Sequence, residues 1–270
     1  MSRRKRSSPV PRLAVFSAET LDLIRGAVQP GGPAFYAGQG FRLLGLGVEV
    51  VPGAAGCRAV FKHEEEGDVR SSVLVEPPRR CRLRLPEADA ALVSPVACEV
   101  SFEDAAVVSR VYPLVAVDMQ GFLRSCHRGR LEALRYPPPM LDGVDAVKLS
   151  LEDAGDVLAA QRLLGGRLHV MATLGSAGLV GWDPALGCYL CTPPRVEAES
   201  TVGAGDMFTA FYIYARLRGA GRVEAACRAS TMTAEALAAR SGVEPPKQGA
   251  RLRLLPDCGG GFGLAVASPA

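Results

Sequence analysis

A glycine-rich turn opens an apolar helix in the last third of this 270-residue chain, and its sequence is Thr201-Val202-Gly203-Ala204-Gly205-Asp206. Small residues at a helix start let backbone N–H groups approach an anion, and the helix dipole adds partial positive charge there. Asp206 lies in the first turn, where a carboxylate can take a proton from a hydroxyl beside a bound phosphate. The stretch predicts an anion site with a general base, although the same pattern is also typical of an ordinary helix start.

Apolar strand segments and helical segments alternate on both sides of this turn. Continuous apolar runs, typical of strands buried on both faces of a parallel sheet, occur at 90–93 and 114–117. Mainly apolar strand segments occur at 13–16, 146–149 and 168–173. Further strands are predicted at 48–51 and 178–182, and helical spacing is found over 34–44, 152–164, 205–218 and 222–240. Repeated units of this kind predict one α/β domain over 13–270, with a doubly wound, mainly parallel sheet flanked by helices.

Two alternating segments interrupt the pattern at 59–63 and 70–75, joined by an acidic turn. They predict a hairpin, and we expect strands around 22–30 and 57–76 to form a small, reduced β lid. Asp22 follows the first apolar run and is expected just beyond its carboxyl end, where ligands bind in open α/β sheets. An exposed lid edge also predicts pairing between subunits as a homodimer.

Composition and charge limit the kinds of partner that the chain is expected to have. With 48% hydrophobic and 22% charged residues it is close to an average globular protein. Five basic residues within 1–12 exceed the net charge of +3, so the body is about neutral and the tail is predicted to be flexible. We expect no nucleic-acid or membrane partner and a cytoplasmic location, since no run is long enough for a span or a signal segment. The absence of asparagine suggests a thermophilic source.

The cysteines and histidines give weak signals. Eight cysteines are spread along the chain, and the close pair Cys188 and Cys191 is interpreted as two small strand residues rather than a zinc or redox site. His63, His127 and His169 have no metal-binding spacing. The chain contains neither a P-loop motif nor a G-x-S-x-G elbow, which argues against P-loop enzymes and common hydrolases.

The glycine-rich turn resembles the signature of the ribokinase-like (PfkB) sugar and nucleoside kinases. Four other stretches resemble motifs of that family in the right order, from about Leu13 to about Val243. They are the glycine pair at Pro30-Gly31-Gly32-Pro33-Ala34, the strand-end motif at 117–124, the strand at 144–149 that precedes an N-x-x-E motif, and the nucleotide-side loop at 170–178. The resemblance implies a kinase that uses ATP and Mg²⁺.

The resemblance also implies site residues. Asp206 is the expected base, and the anion hole consists of Gly203, Ala204 and Gly205. The expected substrate contacts are Asp22, Gly31, Gly32, Tyr36, Gln120 and Arg124. The expected nucleotide contacts are Lys148, Ser150, Thr173, Gly175 and Gly178, and Asp153 is the expected contact to the metal through water.

The chain departs from the family pattern at three places. Ser200 replaces the usual acidic residue, Tyr36 stands at a position that usually carries asparagine, and Ser150 to Asp153 replaces N-x-x-E. We expect an ATP-dependent kinase that phosphorylates a hydroxyl of a small polyol, sugar or nucleoside, with an inositol-like polyol first because Tyr36 disfavours a ribose pocket. The alternative is a catalytically weak regulatory protein of the same fold that binds a nucleotide or metabolite.

Overall fold

The computed structural model describes residues 10–24, 26–66, 69–124, 126–130, 141–150 and 166–258. Their strands are β1 (Arg12–Phe16), β2 (Glu19–Ile24), β3 (Ala27–Gly31), β4 (Glu49–Pro52), β5 (Ala54–Ala55), β6 (Arg58–Glu66), β7 (Val69–Glu76), β8 (Arg82–Leu83), β9 (Ala90–Val93), β10 (Val115–Asp118), β11 (Gly129–Arg130), β12 (Ala146–Ser150), β13 (His169–Thr173), β14 (Leu179–Asp183), β15 (Gly187–Thr192) and β16 (Arg251–Leu255). Their helices are α1 (Pro33–Leu43), α2 (Phe102–Val111), α3 (Ala204–Leu217) and α4 (Arg222–Arg240).

The larger sheet has the strand order β16-β15-β14-β13-β12-β10-β9-β1-β4. The six strands from β13 to β4 pair in parallel, whereas β14, β15 and β16 pair antiparallel. Five of the parallel strands are almost entirely buried, whereas the edge strand β4 is partly exposed. Separate apolar clusters contain residues of α2 and residues of α1, α3 and α4. The prediction of a doubly wound, mainly parallel α/β fold is confirmed.

Helix α2 was missed by the apolar pattern, although its start carries a recognisable signal. The Ser101 hydroxyl accepts a hydrogen bond from the Asp104 amide at 3.2 Å, and the Asp104 carboxylate accepts one from the Ser101 amide at 3.0 Å. This reciprocal capping box satisfies two backbone donors that the first helical turn cannot pair internally. The Ser-x-x-Asp spacing would have predicted the helix.

A second sheet has the strand order β11-β7-β6-β2-β3. Its strands β2, β3, β6 and β7 overlap the segments 22–30 and 57–76, and β11 comes from a part of the chain with no predicted strand. The chain enters this sheet only two residues after β1 ends. Asp22 therefore lies inside β2 of the second sheet, and not in a loop directly after β1 as its sequence position suggested.

Four disulfides join all eight cysteines: Cys57 with Cys81, Cys98 with Cys126, Cys188 with Cys258, and Cys191 with Cys227. The interpretation of Cys188 and Cys191 as merely two small strand residues is wrong. Both lie in β15, but each is bonded to a partner 70 or 36 residues away. Spacing alone does not reveal such connectivity. Disulfides of this number are found in oxidising compartments and in intracellular proteins of hyperthermophiles, so the cytoplasmic location and the thermophilic source stay predictions.

Several predictions fall outside the described residues. These are most of the basic tail, the helix at 152–164 and the proposed metal contact Asp153. In the part of the chain that is described, no helix has the length and apolar character needed to cross a membrane.

Candidate active site

The glycine-rich turn forms the amino-terminal cap of α3. Gly203 is the N-cap residue with φ 78°, a left-handed conformation that favours glycine. The Ala204 amide donates to the Thr201 carbonyl at 3.0 Å, and the Met207 amide donates to the Gly203 carbonyl at 2.9 Å. The Ala204 amide is therefore engaged within the turn. Gly205 and Asp206 follow it in the first helical turn, where amides have no intrahelical acceptor and can bind an anion.

Tyr36 of α1 packs directly on this turn. A side chain at Gly203 would overlap the Tyr36 ring, so glycine is required there for both space and conformation. Tyr36 is 3% exposed, and its hydroxyl donates to the Asp22 carboxylate at 2.9 Å. Tyr36 thus connects the turn of α3 with the second sheet.

Asp22 is the centre of a buried polar cluster on the second sheet. Its carboxylate accepts hydrogen bonds from the Thr20 hydroxyl at 2.8 Å and from Tyr36, and His63 Nε2 lies 3.6 Å from Oδ1. A side chain at Gly31 would overlap the Asp22 carboxylate. Gly31 therefore leaves room for this carboxylate, and Gly32, with φ 82°, is the N-cap of α1.

The ionisation of this cluster follows from its contacts. Burial opposes the charged form of Asp22, but hydrogen bonds from His63, Thr20 and Tyr36 outweigh it and hold the pKa of Asp22 below its ordinary value. Burial, the Asp22 carboxylate and, more weakly, Asp206 raise the pKa of Tyr36. The site therefore holds an ionised Asp22 and a neutral Tyr36, with the half-buried Asp206 close enough to influence that phenol.

Lys148 reaches the start of α3 from the middle of β12. Its ammonium is 3.0 Å from the Asp118 carboxylate on the adjacent strand β10, and neither side chain is more than 4% exposed. A Cβ on Gly205 would lie 2.9 Å from Lys148 Nζ. Lys148 is therefore a buried, paired cation beside the glycine-rich turn, and not a solvated side chain.

The residues of the strand-end motif after β10 mainly contact other parts of the protein. The Gln120 amide donates to the Asp118 carboxylate at 3.2 Å. Gly121 packs against the backbone of Pro95 so closely that a side chain would overlap it. The Arg124 carbonyl oxygen lies 3.5 Å from the disulfide-bonded sulfur of Cys98, and the half-buried Arg124 side chain makes an interaction of its own. Contacts of Gln120 and Arg124 with a substrate stay predictions.

The predicted nucleotide-side residues line one edge of the larger sheet. Ser150 pairs with Thr173 across β12 and β13, and the Thr173 hydroxyl donates to the Leu149 carbonyl at 3.3 Å. Gly175 has φ 60° in a 3-10 turn. Gly178 has φ 104° and lies against Cys191 and Pro193. The loop between β13 and β14 therefore touches the segment that follows β15.

A cavity of about 580 Å³ begins beside that contact. Its walls carry three basic side chains and no carboxylate, and they are formed by Thr192, Pro193, Pro194, Arg195, Pro246, Lys247, Gln248, Gly249 and Arg251. A larger cavity of about 710 Å³ is lined by residues such as Leu186, Val223 and Leu252 and contains none of the predicted site residues. Of these two cavities, it is the smaller that adjoins the predicted nucleotide-side residues.

Metal ligands are not assembled by the described residues. No group of three or more His, Cys, Asp or Glu side chains with suitable geometry occurs within the described ranges. Asp118, at the end of β10, is already paired with Lys148.

Sequence reasoning missed three contributors to this arrangement. His63 and Thr20 contact Asp22 from the second sheet, and Asp118 holds Lys148. Asp118 at the end of an apolar strand was a usable signal, because carboxyl ends of adjacent parallel strands meet at one sheet edge. His63 lies 41 positions from Asp22, and no local pattern predicts that contact.

Comparison with known proteins gives a family match for part of the chain and a set of solved structures with a similar fold. The family of pfkB carbohydrate kinases matches residues 143–248. Similar solved structures include a pyrophosphate-dependent kinase in the ribokinase family complexed with a pyrophosphate analogue and myo-inositol, 17% identical with TM-score 0.64 over 82% of this chain and 94% of that one. Ribokinase from Arabidopsis thaliana complexed with ribose and ATP is 16% identical, with TM-score 0.57 over 95% of this chain and 99% of that one. A nucleoside kinase from Burkholderia thailandensis in complex with inosine is 15% identical, with TM-score 0.57 over 84% of this chain and 91% of that one.

The shared architecture is the ribokinase fold, and it spans most of each of these chains. No curated protein matches the chain. The family match covers the segment that holds Lys148 and the turn of α3. The chain therefore has the ribokinase fold, and its residues 143–248 match the pfkB carbohydrate kinases, in agreement with the resemblance of its motifs.

Proposed function

We propose that the chain transfers the γ-phosphoryl group of ATP to a hydroxyl of a small polyol, sugar or nucleoside, with an inositol-like polyol as the first candidate. The observation that carries the proposal is the convergence of three features at the start of α3. They are the left-handed Gly203 turn, Asp206 in the first helical turn, and the Lys148 ammonium beside Gly205. An anion site, a base and a fixed cation are what alcohol phosphorylation requires.

In the proposed reaction, the acceptor hydroxyl attacks the γ-phosphorus in line with the departing β-phosphate oxygen. A new O–P bond forms, the bond between the γ-phosphorus and the bridging oxygen breaks, and the hydroxyl proton passes to the Asp206 carboxylate. The amides of Gly205 and Asp206, together with Lys148, stabilise negative charge on the transferring group. Phosphorylated acceptor and ADP leave.

Asp22 is proposed to orient the acceptor. An ionised, buried carboxylate is a strong acceptor of hydroxyl hydrogen bonds, and Asp22 already accepts two of them, from Thr20 and Tyr36. A vicinal diol would offer the same pair of donors. Tyr36 also narrows the space between Asp22 and Gly203, which favours a compact ring polyol over a nucleoside.

ATP is proposed to lie along the edge formed by Ser150, Thr173 and Gly175, with the basic cavity beyond it. Mg²⁺ would enter with the phosphates, since it usually keeps several waters and few protein ligands, and it would offset phosphate charge. Asp153 is the residue proposed to meet it through water.

Inorganic pyrophosphate is a second candidate donor. The cavity beside Gly178 carries Arg195, Lys247 and Arg251 without a carboxylate, and one similar structure is a pyrophosphate-dependent kinase. Turnover with ATP and with pyrophosphate, each tested with myo-inositol, ribose and inosine, separates the two donors. Product formation with pyrophosphate alone would replace ATP in the proposal.

The test of the catalytic assignment is Asp206→Asn. We expect turnover to be lost while the affinity for ADP, measured by calorimetry, stays close to that of the unchanged protein, because the amide keeps the shape but cannot accept the proton. Wild-type-like turnover in this variant would reject Asp206 as the base. Measurable ligand binding with no turnover of the unchanged protein across all donors and acceptors would favour the regulatory binding protein instead.

A further inference from the structure

The last residue of α4 holds the loop that leads into the anion-binding turn. The Arg240 guanidinium donates through Nη1 to the Val202 carbonyl at 2.8 Å, and through Nη2 to the Ser200 carbonyl. One planar cation thus binds two carbonyls on either side of Thr201. Arginine suits this task because its donors form a rigid fork, whereas a lysine ammonium provides a single point of attachment.

A second contact from the same helix end supports this role. The Ser241 hydroxyl, next to Arg240 in sequence, accepts a hydrogen bond from the Glu199 amide at 3.1 Å. Glu199, Ser200 and Val202 are therefore all bonded to the carboxyl end of α4. The loop that precedes Gly203 is held from outside, by residues about 40 positions later in the chain.

This loop needs such support because the turn depends on it. Thr201, between the two carbonyls bound by Arg240, accepts the Ala204 amide and so sets the start of α3. A shift of the loop would turn the amides of Gly205 and Asp206 away from a phosphoryl group. In catalysis, a misplacement of about 1 Å can reduce the rate about 100-fold.

The charge of Arg240 also reaches the site. It lowers the pKa of Tyr36, whereas Asp206 raises it. Arg240 is half-buried and carries its charge at all relevant pH values.

We propose that Arg240 is a positioning residue for phosphoryl transfer, which fixes the Ser200 and Val202 carbonyls so that the first amides of α3 face the transferring group. The proposal rests on the proposed function. It adds a residue outside the glycine-rich signature, on a different helix, that determines the geometry of the anion hole.

The experiment compares Arg240→Ala, Arg240→Lys and the control Arg228→Ala in the full-length chain. Arg228 lies on the same helix, is exposed and pairs with Glu224 at 2.6 Å. With ATP and myo-inositol we expect Arg240→Ala to lower kcat about 10- to 100-fold and to change the KM for myo-inositol little. Arg240→Lys should retain an intermediate rate, and Arg228→Ala should match the unchanged protein.

Chemical rescue distinguishes positioning from a general folding defect. Added guanidinium at millimolar concentration should restore part of the kcat of Arg240→Ala, whereas sodium chloride at equal ionic strength should not. A kcat for Arg240→Ala within twofold of the control Arg228→Ala, or equal restoration by both salts, overturns the proposal. If Arg240→Ala does not fold, Arg240→Lys decides, since an unchanged kcat there removes any need for the fork.

Pyrophosphate binding tests the same claim when turnover is absent. By calorimetry, Arg240→Ala should bind pyrophosphate roughly five- to tenfold more weakly than Arg228→Ala, the equivalent of about one hydrogen bond. Equal affinity would overturn the role of Arg240. Failure of the unchanged protein to phosphorylate any acceptor would instead overturn the proposed function, so the two failures are distinguishable.

Discussion

Gly205→Ala should separate catalysis from stability in this protein. Gly205 lies in the first turn of α3 and not in a left-handed conformation, so alanine fits the backbone and gains up to about 1 kcal/mol of helix propensity. The added Cβ would lie 2.9 Å from Lys148 Nζ, which must move and loosen its bond to Asp118. Because the pair shifts but is not broken, and the gain in helix propensity offsets the cost, we expect a free energy of unfolding within about 1 kcal/mol of the unchanged protein.

Activity should respond differently, because the methyl group occupies the space between the Lys148 ammonium and the helix start. If the methyl group displaces the terminal phosphate by about 1 Å, we expect kcat to fall about 100-fold. The assays are urea unfolding followed by circular dichroism and initial rates of phosphoryl transfer from ATP and from pyrophosphate.

Two other glycines provide matched controls. Gly38→Ala in α1 adds a Cβ in ordinary contact with Arg42 at 3.6 Å and should raise stability without loss of activity. Gly203→Ala combines φ 78° with overlap of the Tyr36 ring and should cost about 2–5 kcal/mol. Wild-type kcat in Gly205→Ala would refute the placement of the phosphoryl group between Lys148 and α3.

Three further predictions concern burial and covalent links. Burial lowers the pKa of His169 to about 4 from an ordinary value near 6.5. The free energy of unfolding should therefore fall by roughly 3 kcal/mol as the pH drops from about 6.5 to about 4, and this group should cause no further loss below pH 4. In His169→Gln the free energy of unfolding should depend less on pH over this range, and an unchanged slope would contradict the prediction. Replacing both Cys191 and Cys227 by alanine removes a link across 36 residues and should cost about 4 kcal/mol. The measurement is the urea midpoint without reductant, where the other three disulfides stay intact; an unchanged midpoint would contradict the prediction. Tyr36→Phe removes a donor to Asp22, so that a hydroxyl of myo-inositol can donate to the carboxylate in its place. The KM for myo-inositol should fall roughly fivefold, about the equivalent of one hydrogen bond. An unchanged KM would place the substrate away from that carboxylate.

The elements of the larger sheet were predictable because their signals are local. Short, mainly apolar segments predicted its six parallel strands, and helical spacing placed α1, α3 and α4 to within one or two residues. The capping box of α2 was equally local but was overlooked. By contrast, β11 and β16 are too short or too exposed to stand out from a loop.

The glycine-rich turn by itself predicted an anion site with a general base, since small residues at a helix start have the same physical properties in any fold. The prediction of a kinase came from its resemblance, together with four other stretches in the right order, to the PfkB motifs. Only the tertiary structure decided which residues act with the turn. Lys148 and Asp118 are 30 positions apart, Tyr36 and Asp22 are 14 apart, and Arg240 reaches Val202 across 38. The four disulfides, over separations of 24 to 70 residues, belong to the same class of contact. Such pairs form only when strands and helices pack against each other. Which residues pair depends on the burial and charge where two elements meet, and no local spacing in the sequence predicts this.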